Sequence, residues 1–119
     1  MKWFFALNEA GLVYYGDMVR AAVRSARLNT SLEPNLLWDG PEGAFADWMR
    51  AQDVTVIPCR TPLYDAIRTG EARPGFIAHT ADCAFLRLEV SRFAGDDSFV
   101  LCTDCDVLFL SEPDLGGSR

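Results

Sequence analysis

The chain has 119 residues, a formal net charge of −6, and hydrophobic residues make up half of it. That is enough for one domain with one core, and too apolar for a disordered segment. An acidic balance without a block of like charges disfavours nucleic acid or an anionic membrane as the main partner, although Arg20, Arg24, Arg27, Arg60 and Arg87 leave a local phosphate site open.

No apolar run is long enough to span a bilayer. The run at residues 3–7 is too short for a signal-peptide core, and Asn8 and Glu9 follow it at once, so a cytoplasmic location is expected. In that compartment Cys59, Cys83, Cys102 and Cys105 read as reduced thiols.

Residues 2–7 form an apolar run that reads as a first strand, with residues 8–11 as a loop. Tyr15, Met18, Val19, Ala22, Val23 and Ala26 then recur at helical spacing, with Arg20, Arg24 and Arg27 on the other face. Asn29, Thr30 and Ser31 stop that helix. Residues 35–38 read as strand two, closed by Asp39 and Gly40, and Pro41 suits the first turn of a second helix whose apolar stripe is Phe45, Trp48 and Met49. Residues 54–58, rich in β-branched side chains, read as strand three. An irregular stretch over 59–80 follows, punctuated by Gly70, Pro74 and Gly75, with one short helix over 63–68. Residues 81–93 read as a helix capped by Thr80 or Asp82, residues 95–97 as a turn, residues 98–103 as strand four, and residues 107–110 as a short extended piece. Residues 1–110 thus form one α/β domain and residues 111–119 a polar, Gly-rich tail.

This order, with near-continuous apolar strands, predicts a Rossmann-like parallel sheet with helices on both faces. Right-handed crossovers bring every strand's carboxyl end to one edge, where ligands bind in such sheets. Asn8, Asp39, Arg60 and the pair Asp104/Asp106 all fall at that edge.

Asp104 and Asp106 carry the most information. They interrupt an apolar run, and a strand interior cannot hold two unpaired charges without a desolvation cost of several kcal/mol each. A buried strand is therefore expected to end near Thr103 and deliver both carboxylates to a pocket, where a turn lets them point the same way. Hard cations such as Mg²⁺ or Mn²⁺ take one or two carboxylates plus substrate phosphates. The plain alternative is a turn carrying two solvated acids.

The stretch from Thr103 to Phe109 resembles the D-x-D region of nucleotide-sugar glycosyltransferases of the GT-A fold, most of all glycosyltransferase family 8. The strand ending Ala6-Leu7-Asn8, followed by a helix with Tyr14 and Tyr15 at its start, is similar to that family's nucleotide-binding opening. The helix carrying Arg87, one helix upstream of the acids, stands where those enzymes carry an Arg that helps hold the donor. The resemblance implies the nucleotide-binding half of a GT-A fold and a metal-dependent hexosyl-type transfer from a nucleotide-diphospho-sugar, with retention at the anomeric carbon, to an unknown acceptor. It also implies that Asp106 is the principal ligand of Mn²⁺ or Mg²⁺ and that Asp104 shares the cation and touches the ribose. Ala6, Leu7 and Asn8 would meet the nucleobase, and Arg87 would reach the diphosphate or donor sugar.

The chain departs from the family in one respect. Thirteen residues follow Asp106, none is His, and the single histidine is His79, whereas the family continues into an acceptor-binding half with a metal-ligating His. The expectation is a donor-binding half, a fragment or truncated product, whose exposed apolar surface favours self-association. Asp39 closes strand two, where doubly wound folds place a ribose-binding acid, and with Gly40 after it a plain turn reads equally well. Tyr15 reads as a nucleobase neighbour or as helix-edge packing. Cys102-x-x-Cys105 lacks the second pair of a zinc knuckle and the helix start of a redox pair. Two further functions stay open. One is a non-catalytic nucleotide- or metal-binding module. The other is an aspartate-nucleophile phosphotransferase of the haloacid-dehalogenase type, against which stands the motif's place on the last strand rather than the first.

Overall fold

The computed structural model describes residues 1–69, 86–95 and 99–114. Its first strand, β1 (Lys2–Asn8), is buried from Trp3 onward. Helix α1 (Glu9–Asn29) follows with no residue between, so the loop expected over 8–11 is absent. Asn8 makes the junction: its backbone is extended and its Oδ1 accepts a hydrogen bond from the Gly11 N–H at 2.8 Å, which satisfies one of the helix's free donors. At the other end the Thr30 N–H and hydroxyl both donate to the Ala26 carbonyl. The buried face of α1 is Gly11, Gly16, Val19, Ala22, Val23 and Ala26, while Tyr15 and Met18, expected in the stripe, are exposed.

Strand β2 (Glu33–Asp39) extends beyond the expected span at both ends. Helix α2 (Ala44–Ala51) begins at Gly43, not at Pro41. The Trp38 indole N–H donates to the Pro41 carbonyl at 3.0 Å, which holds the proline in the connection ahead of the helix. Gly40 is required there, because a Cβ would sit 2.3 Å from the Trp38 ring. Strand β3 (Thr55–Pro58) and helix α3 (Tyr64–Thr69) follow. Of the helix expected over 81–93, the described part is a 3₁₀ turn (Arg87–Glu89) running into one α-helical turn, α4 (Val90–Phe93). Its expected caps, Thr80 and Asp82, lie outside the described residues, as do His79, Cys83 and most of the expected turn at 95–97.

Strand β4 is Val100–Cys102. The sheet is all parallel in the order β3-β2-β1-β4. Alternation along β1 divides the core in two. Trp3, Phe5 and Leu7 pack with Leu36, Trp38 and the buried faces of α1 and α2; Phe4 and Ala6 pack with Leu37, Leu86 and Val90 on the other side. Helices therefore cover both faces, as expected for this class. The strands differ in burial: β1 and β2 are central, while β3 and β4 lie outermost among the described residues and are only partly buried.

The expectation of a buried strand delivering the acids is corrected here, since β4 is short and half-exposed. The chain then reverses. The Thr103 N–H still donates to the Phe4 carbonyl, and the Cys105 thiol donates to the Ala6 carbonyl at 3.1 Å, continuing toward the carboxyl end of β1. Yet Phe109 packs edge-on against Trp3 with ring centroids 4.9 Å apart, back at the start of β1. The turn-back lies between, at Cys105–Asp106. The returning strap, residues 107–112, is not a strand. It is held on α1 by bonds from the Phe109 N–H to Ser25 Oγ and from Asn29 Nδ2 to the Phe109 carbonyl, and just past the helix by the Ser31 N–H donating to Glu112. Val107 and Phe109 pack on the core while Leu108 and Leu110 stay exposed. No helix among the described residues is long and apolar enough to cross a membrane.

Candidate functional site

Parallel pairing aligns Asn8 with Asp39, and Trp38 with Pro58, so the ends of β1, β2 and β3 stand in a row. β4 stops short of that row: its last residue, Cys102, pairs with Phe4 midway along β1, and Thr103 and Cys105 then carry the chain on toward the carboxyl end of β1. The strand order reverses at β1, which has β2 on one side and β4 on the other. That position is where ligands enter open parallel sheets. The first turn of α1 opens at the same edge, directly after Asn8.

Two acid–arginine pairs flank this point. At the end of β2, Arg60 Nε lies 3.3 Å from each carboxylate oxygen of Asp39. The Arg60 guanidinium also stacks on Tyr64, 4.0 Å from the ring centroid. The Asp39 side chain is only 14% exposed. After β4, Arg87 Nη1 meets Asp104 Oδ1 at 2.5 Å, and here both partners are open to solvent, with side-chain exposures of 42% and 67%. Thr103 fixes the local backbone: its hydroxyl accepts from the Trp3 indole N–H at 2.8 Å and donates to the Asp104 carbonyl at 2.8 Å. Asp106 is exposed at the reversal and has no ion pair among the described residues.

The other sequence-predicted residues divide between site and core. The Ala6 and Leu7 side chains are buried, at 3% and 0% exposure, so each can offer a ligand its backbone alone. The Ala6 carbonyl already accepts the Cys105 thiol. Asn8 is buried and caps α1. Tyr15 is partly exposed on the second turn of α1, beside Tyr14 with ring centroids 6.5 Å apart. Asp39 thus stands level with Asn8 at the carboxyl edge, while the Arg87–Asp104 pair and Asp106 follow the end of β4 on the other side of β1.

Cys59 and Cys102 are free thiols. Burial pushes the Cys59 thiol above its ordinary range, helped by the Glu89 and Asp39 charges and opposed by Arg92. Cys102 is likewise pushed up by burial, with Arg87 opposing and Asp104 adding to the shift. Both shifts disfavour the thiolate form that an attacking redox cysteine needs.

Two exposed carboxylates flanking a reversal are oxygen donors of the kind Mg²⁺ and Mn²⁺ take, with water and phosphate completing the shell, so the residues present fit such an ion. Among the described residues no group of three or more His, Cys, Asp or Glu side chains gathers as metal ligands. A shallow hollow of about 400 Å³ lies at the opposite edge, lined by Lys2, Glu33, Asn35 and Thr55 at the strand starts, remote from both pairs. Sequence reading missed the Tyr64 platform and the Cys105 contact. The spacing of four from Arg60 to an aromatic residue at the start of a short helix was a usable signal for the first; nothing local announced the second. The chain matches no family model, no curated protein and no solved structure at a significant level.

Proposed function

We propose that the carboxyl edge binds a nucleotide-diphospho-sugar together with Mn²⁺ or Mg²⁺, as the donor-binding part of a GT-A-type glycosyltransferase resembling family 8. The observation that carries this reading is the gathering of Asp104, Asp106 and Arg87 at the end of β4, beside the strand at which the sheet order reverses. In this reading Asp104 and Asp106 hold the cation, Arg87 takes diphosphate oxygens, and Asp39 and Asp104 accept from ribose hydroxyls. The backbone from Ala6 to Asn8 and the Tyr15 ring flank the nucleobase. The cation, when bound, neutralises charge gathering on the departing diphosphate. The protein's part is to hold the donor in register, with α1 directing its N-terminal N–H groups and positive dipole end toward the anion.

Calorimetry with a panel of nucleotide-sugars, with and without Mn²⁺, tests this. Metal-dependent binding is expected, weakened at least about tenfold in Asp106→Ala, the loss of one charge-assisted ligand. Unchanged binding in that variant removes the metal role. A non-catalytic nucleotide- and metal-binding module is the second reading, favoured by the lack of a third ligating side chain among the described residues. Binding without hydrolysis or transfer of the sugar selects it.

A further inference from the structure

We infer that Arg87 and Asp104 form an exchangeable pair, in which a divalent cation displaces the guanidinium from Asp104 and the freed guanidinium then grips the diphosphate. This rests on the metal–diphosphate reading above and adds an order of events to it. The pair has a single contact, from Nη1 to Oδ1, so Asp104 Oδ2 and the remaining Arg87 donors are unengaged among the described residues. Both partners are solvent-exposed, and exposed ion pairs of this kind contribute little and are readily replaced. Arg87 follows Leu86, which is 1% exposed in the core, and precedes the buried Glu89. Its backbone thus lies in a turn anchored by two buried neighbours, and its exposed side chain extends from there. A displaced guanidinium stays within reach of whatever the cation brings, and its planar fork suits two phosphate oxygens.

The consequence is a crossed effect at one residue. While Arg87 covers Asp104 it competes with the cation. Once the cation is in place, Arg87 adds to the grip on the anion. A purely structural arginine weakens nothing but the fold when removed, and a simple anion ligand leaves cation binding alone.

The test uses the full chain and two probes, Mn²⁺ alone, followed by the paramagnetic signal of the free ion, and inorganic pyrophosphate at fixed Mn²⁺, followed by calorimetry. Arg87→Gln is expected to tighten Mn²⁺ alone by about two- to fivefold, the worth of an exposed pair. The same variant is expected to weaken pyrophosphate by about tenfold or more. Arg87→Lys, which keeps the charge and loses the fork, recovers less than half of the pyrophosphate loss on a logarithmic scale. Far-ultraviolet dichroism confirms that each variant is folded. If Arg87→Gln leaves Mn²⁺ affinity unchanged or weakens it while the parent chain binds both probes, the exchange is wrong and the binding site stands. If the parent chain takes up neither probe, the site and the exchange fall together.

Discussion

The two acid–arginine pairs at the carboxyl edge have the same chemistry and opposite characters. Asp39 is nearly buried, and Arg60 is held against it by a ring beneath the guanidinium and by an Nε shared between both oxygens. Asp104 and Arg87 touch at one point in open solvent. Burial raises the energy of an unpaired charge, so the inner pair resists opening on the Asp39 side, whereas the outer pair loses little when it opens. For the inner acid to serve a ribose, the ligand must replace a well-held partner. The outer acid is the more available of the two.

Mutations can break this contrast. The largest expected effect is at Gly40→Ala, whose new Cβ meets the buried Trp38 ring. Overpacking against a core indole costs about 1–3 kcal/mol, read as a lower urea midpoint, and a loss below about 0.5 kcal/mol means that the turn beyond Asp39 yields freely. Next, Arg60→Ala strands Asp39 in a nearly buried position and should cost about 1–2 kcal/mol, while Arg87→Ala should stay within about 0.5 kcal/mol. Equal losses from the two arginines erase the distinction. The smallest effect is on Cys59, whose thiol burial pushes up and which already feels Asp39. Without Arg60 the Asp39 charge is less compensated, so the pH midpoint of Cys59 alkylation, read by peptide mass, should rise in Arg60→Ala and hold in Arg87→Ala. The parent chain's thermal midpoint should also fall as pH rises above about 8.5. A thiol raised in the folded state binds its proton more tightly there than in the unfolded chain, so its contribution is present at lower pH and fades as the pH passes through the raised value.

Periodicity and composition made the central elements legible. The run over 2–7, the stripe at Val19, Ala22, Val23 and Ala26, and the β-branched residues of β3 all lie where their patterns put them: β1 is buried on both faces, α1 buries one helical stripe, and β3 pairs along the β2 edge. Misreadings arose where a single contact outweighed a preference. The Asn8 cap replaced a loop, and the Trp38 indole bond to the Pro41 carbonyl outweighed the preference of proline for a helix's first turn. The strap over 107–110 has the apolar composition of a strand, and its docking depends on Ser25 and Asn29, some eighty residues earlier. Of the site, the acids could be seen in the sequence. Their arginine partners could not be assigned, since which cation faces which carboxylate follows from the strand order and not from any local spacing.

The strap has a consequence for how the molecule comes into being. Trp3 donates its indole hydrogen bond to a residue 100 positions later, and its edge-on neighbour is Phe109. During synthesis, the innermost strand leaves the ribosome early and waits, with one flank unpaired, until nearly the whole described chain has emerged. Such long-range closure slows folding and leaves an apolar ribbon open to wrong partners in the interval. Truncation ahead of the reversal would make that waiting state permanent.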